Sequence, residues 1–121
     1  MDDFHTANII ADGTTVSGFI DLEITRNGNE VLQLGGALSQ MAGQPNNWQS
    51  FRCGYERGRG EPLNEALVSL VRTTAPFTMW IRFSWYWTTD ALSDWAVRKR
   101  VREVAIKDIA ETVVRVEAME L

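Results

Sequence analysis

With 121 residues, 45% hydrophobic and 10% aromatic, the chain has material for one core, which excludes a disordered chain and leads to the expectation of a single domain over residues 1–121. One cysteine, Cys53, excludes an intrachain disulfide and any metal site built on several thiolates. The net charge of −4 is uneven: residues 1–50 carry one base against six acids, whereas residues 51–121 carry eleven bases against ten acids.

No run approaches the roughly 18 to 20 apolar residues needed to cross a bilayer, and the acidic start MDDFHTANII does not read as a secretory signal. A cytoplasmic protein, or a virion assembled in the cytosol, fits these features.

In chain order, Asp12-Gly13 between Ile9-Ile10 and Val16 signals a hairpin with its turn at 12–13, setting Ile9 opposite Val16 and His5 opposite Ile20. The run Val16, Gly18, Ile20, Leu22, Ile24 then alternates with Thr15, Ser17, Asp21 and Glu23. A second hairpin is expected at 26–29. An odd-length loop there brings Leu32 and Leu34 onto the face of Leu22 and Ile24, because a one-residue slip exchanges the two faces of a strand.

Residues 35–47, rich in Gly, Gln and Asn, read as a long loop; Phe51, Cys53 and Tyr55 alternate as a short strand; residues 54–60 (GYERGRG) read as a connector. One amphipathic helix is expected over 62–74, with Pro62 at its first position, a stripe of Leu63, Ala66, Leu67, Leu70 and Val71, and Pro76 closing it. Residues 77–88 read as a central strand, with Phe77, Met79, Ile81, Phe83, Trp85 and Trp87 on one face and Trp80 and Tyr86 on the other.

Residues 90–96 suggest a helical turn. Residues 97–107 fit either a bulged strand or a helix striped by Val97, Val101, Val104 and Ala105; Ile106 and Ile109 fall off that stripe and favour the strand. Residues 113–119 make a last strand. The expected fold is α+β, mostly antiparallel β with about seven strands, the 62–74 helix packing on the sheet.

No catalytic constellation emerges. His5 is the sole histidine, so any Ser-His-Asp or Cys-His pair rests on it alone, and Cys53 reads as a small apolar residue. No metal-ligand spacing and no phosphate-cradling loop occurs, so neither a metal nor a cofactor is expected. Asp21 and Glu23 read as a solvated face, and Asp90 and Asp94 as a cap and first-turn acid.

Arg98, Arg100 and Arg102 beside a tryptophan-rich segment are the best case for binding a single strand. The pI of 4.9 and the acidic first half argue against nucleic acid. Trp80, Trp85, Tyr86, Trp87 and Trp95 join these arginines as interface candidates, with Asp21 and Glu23 their acidic counterparts, since Trp, Tyr and Arg dominate contact hot spots. Trp85 and Trp87 either fill the core or face a partner.

In element order the chain resembles small phage tail, neck or capsid-decoration subunits, an analogy of fold alone. The expected function is a non-enzymatic structural protein acting through protein contacts, as a homo-oligomer or in a multi-subunit assembly, with a small phage virion component as the example. The alternative is a small acidic inhibitor or immunity protein that blocks a basic or nucleic-acid-handling target.

Overall fold

A computed structural model describes residues 9–19, 29–87 and 95–121. Among these residues the chain forms a two-stranded antiparallel hairpin, β1 (Ile9–Asp12) and β2 (Thr15–Phe19), followed by four helices: α1 (Glu30–Gln40), α2 (Pro45–Arg59), α3 (Glu65–Trp87) and α4 (Trp95–Glu117). This overturns the expected sheet of about seven strands.

The first hairpin exists, with a different register. Gly13 has φ 59°, a left-handed conformation that glycine adopts without a Cβ penalty. It takes the first loop position beside Thr14, so Asp12 pairs with Thr15 and Ala11 with Val16. An irregularity between Ile10 and Ala11 then puts Ile9 opposite Phe19, not Val16. His5, Asp21, Glu23, and residues 26–28 of the expected second turn lie outside the described residues.

That second hairpin does not form, because Leu32 and Leu34 are helical. Asn29 caps α1: its side-chain oxygen accepts from the amides of Val31 at 2.9 Å and Leu32 at 3.4 Å, satisfying donors that a helix start otherwise leaves orphaned. Residues 35–40, expected as loop, complete α1. Gly35 is tolerated because of where it lies. A Cβ on Gly35 would stand 2.7 Å from Thr78 Oγ1 and 3.2 Å from Thr74 Oγ1, so only glycine lets α1 approach α3 this closely.

The expected strand at Phe51, Cys53 and Tyr55 is part of α2. Pro45 opens this helix and Gly60, at φ 85°, closes it with its amide donating to the Glu56 carbonyl. Helical spacing brings Trp48, Phe51 and Tyr55 into one stacked column, with centroids 5.8 and 6.2 Å apart, and turns Cys53 outward.

The helix expected over 62–74 begins later and runs further. Asn64 caps it, its side chain accepting from the Leu67 amide at 2.8 Å. Pro76 does not end it: α3 continues through a buried proline that withholds one amide from the Arg72 carbonyl. Residues 77–87 are therefore helix, not a central strand. Residues 97–107 and 113–117 are likewise helix, within α4.

The core gathers Leu34 and Leu38 from α1, Trp48 from α2, Val71 and Ala75 from α3, Val116 from α4, and the flanking Leu63 and Met119. Polar ties hold the periphery. Glu30 accepts from Tyr55 Oη at 2.7 Å and pairs with Arg59, joining α1 to α2. Glu56 accepts from the Leu63 amide and pairs with Arg52 at 2.9 Å, steering the chain from α2 into α3.

Candidate protein-interaction surface

Helix geometry sorts the interface candidates differently from the alternation of a strand. Trp80 lies in α3 and donates from Nε1 to Asp108 Oδ2 in α4 at 2.7 Å, so its indole ties two helices together. Trp85, Tyr86 and Trp87 belong to the last turns of α3, and Trp95 opens α4; their side chains lie outside the described part. Arg98, Arg100 and Arg102 are exposed in the first two turns of α4. The first turn of α4 contains no acid, so cations stand at the positive end of a helix dipole, where anions are favoured.

Large apolar side chains also face outward. On α3, Leu70, Phe77 and Ile81 are exposed at spacings of seven and four residues, so they share one helix face. The inward face is Leu67, Val71, Ala75 and Thr78. Within the expected stripe, Ala66 and Leu70 point outward because α3 turns Thr74 and Thr78 toward Gly35. Both hydroxyls donate to carbonyls four residues back, at 2.8 and 2.9 Å, which lets Thr78 be buried.

α4 carries two stripes. Ala105, Thr112 and Val116 face the bundle. Ile106, Ala110 and Val113 form a second stripe, Ile106 being 63% exposed, with Val114 beside it at 67%. Ile106 falls off the inward stripe because it belongs to this outward one, and the offset between the two stripes imitates the parity change of a bulged strand. Lys107 and Arg115 both pair with Glu111 within the helix, at 3.9 and 3.8 Å, whereas Lys99, Arg102 and Glu117 form no ion pair among the described residues.

An open cleft of about 400 Å³ lies between α2 and α3, lined by Arg52, Glu65, Ser69 and Arg72 around Leu63 and Val68. Its guanidiniums already serve the fold, Arg52 on Glu56 and Arg72 donating to the Met119 carbonyl at 3.1 Å. No group of three or more His, Cys, Asp or Glu gathers as metal ligands among the described residues, and no helix among them is long and apolar enough to cross a membrane. Tyr55 has its pKa pushed up to about 12, first by burial and then by its hydrogen bond to Glu30 and that carboxylate's charge.

No family model, curated protein or solved structure matches this chain. The likeness to small phage tail, neck or capsid-decoration subunits rests on a strand-rich order of elements; one hairpin followed by four helices among the described residues removes that ground.

Proposed function

We propose that this protein is a non-enzymatic assembly subunit that acts through protein contacts made by its helix faces, building an oligomer of its own chain. The observation that carries this reading is the outward apolar stripe of α4, centred on Ile106 and Val113 and separate from the side that packs in the bundle. Apolar groups ordered along one helix face outside the core are the usual form of a helix-docking surface.

The engagement of seven polar groups in the bundle supports the same reading. Glu30, Tyr55, Arg59, Arg52 and Glu56 are held in contacts between or within helices, and Trp80 and Asp108 join α3 to α4. Such groups serve architecture.

Sedimentation velocity over a wide concentration range tests the proposal. Self-association that strengthens with concentration supports it. A protein that stays monomeric throughout refutes it, and tight one-to-one capture of a basic target by that monomer returns the inhibitor reading.

A further inference from the structure

The outward face of α4 has a charge order as well as an apolar centre. At about 100° of rotation per residue, Lys99, Arg102, Ile106, Ala110, Val113 and Glu117 fall within an arc of about 80°. Along the helix this face reads basic, then apolar, then acidic. Lys99, Arg102, Ile106, Ala110 and Glu117 are exposed and Val113 is half-buried.

We propose that this face pairs with the same face of a second copy, the two α4 helices running antiparallel about a two-fold axis between positions 109 and 110. This rests on the assembly reading above and names its partner and register. The argument is self-complementarity, which an isologous contact requires. An axis there sets Ile106 against Val113 of the second copy, with the small Ala110 at the crossing where the helices come closest. The same operation brings Lys99 and Arg102 of each copy to Glu117 of the other, twice over.

A parallel pairing would stack cations on cations at one end and carboxylates on carboxylates at the other, so charge selects the antiparallel arrangement. Glu103, at the edge of the arc, lies nearest Glu117 of the second copy and is outnumbered there by two cations. The helix dipoles agree, because antiparallel alignment sets the C-terminal end of one α4 beside the cation-bearing N-terminal end of the other.

The face spans positions 99 to 117, about 27 Å of helix at 1.5 Å per residue. One helix pair of that length is a small interface, so the dimer is weak and concentration-dependent. Its charged rim makes it loosen as salt rises.

The test uses the full chain in sedimentation velocity, with circular dichroism to confirm the fold of each variant. Lys99→Glu with Arg102→Glu, as one variant, and Glu117→Lys, as another, each place like charges across the contact; each alone dimerises about tenfold more weakly or worse. Mixed together the two variants pair with each other, because positions 99 and 102 of each copy again meet a residue of opposite charge at position 117 of the other. Ile106→Asp abolishes dimerisation without disturbing the core, since that side chain is exposed.

Wild-type dimers indifferent to all these changes would overturn the α4 contact and leave self-assembly to another face. Charge variants that fail separately and fail equally when mixed would overturn the antiparallel register. A wild-type chain that is monomeric at every concentration would sink both this contact and the reading it rests on.

Discussion

Replacing Gly35 with alanine sets two effects of known sign against each other. In a helix interior alanine is favoured over glycine by about 1 kcal/mol, because glycine loses more backbone freedom on folding. At Gly54 in α2 nothing lies within 4 Å of the added Cβ, so Gly54→Ala should stabilise by about 0.5–1 kcal/mol. At Gly35 the same Cβ meets Thr78 Oγ1 at 2.7 Å and Thr74 Oγ1 at 3.2 Å. Neither hydroxyl can swing away without breaking its hydrogen bond to the preceding turn. The helices must separate, and overpacking of this kind costs about 1–3 kcal/mol. The net for Gly35→Ala is therefore a loss of up to about 2 kcal/mol, and the two alanine variants should differ by about 1–3 kcal/mol. Urea unfolding reads this directly as opposite shifts of the midpoint at unchanged slope. Thr78→Ala in the Gly35→Ala background removes the nearest obstruction and should recover part of the loss. If Gly35→Ala stabilises as much as Gly54→Ala, the close crossing of α1 and α3 is wrong.

The remaining predictions concern the aromatic and polar ties. Trp48 is fully buried and its Nε1 has no partner among the described residues, so Trp48→Phe gives up volume but no hydrogen bond among them. It should cost less than half of the roughly 3–5 kcal/mol expected for Trp48→Ala, and equal midpoints in denaturant would refute that. Trp80→Phe and Asp108→Ala each break the α3–α4 tie, at about 1.5–3 kcal/mol for a hydrogen bond to a charged group. The double variant should lose little more than either single one, and full additivity would show that the pair does not interact. Tyr55 holds its proton more tightly when folded, since its pKa is raised from 10.0 to about 12. Its contribution to stability is therefore complete below pH 10.0 and falls as pH rises through the folded value near 12. Absorbance titration should show one tyrosine ionising late, and Tyr55→Phe should remove both that step and its share of the alkaline loss of stability.

Much of the punctuation was legible. The hairpin around Gly13 was expected from Asp-Gly, though one residue out at the loop, because which residue takes the positive φ is set by strand pairing and a bulge. The helix after Pro62 was expected, yet its true cap is Asn64. Asn27-Gly28-Asn29 reads as a turn in sequence, yet Asn29 is a helix cap, and both uses draw on the same side-chain oxygen. The alternation of residues 77–87 misled because apolar residues at every second position also supply i and i+4 pairs; Phe77 and Ile81 match a strand face and a helix face alike. Of the interface candidates, Trp80 has a partner within the chain, Asp108, which residue spacing alone does not show, and the order of Lys99, Arg102, Ile106, Ala110, Val113 and Glu117 along one face appears only once residues 97–107 are helix.

Composition, the lone cysteine and the local caps and turns are properties of neighbouring residues, and the sequence by itself determined them. Which of two periodicities the apolar residues obey, and which helix face turns inward, depended on groups distant in the chain. Thr78 is buried and Phe77 exposed, the reverse of their hydrophobic order. Gly35 admits a small side chain whose hydroxyl is already satisfied by the Thr74 carbonyl, and it has no room for a phenyl ring. That preference exists only where α1 crosses α3, so tertiary packing alone decided it.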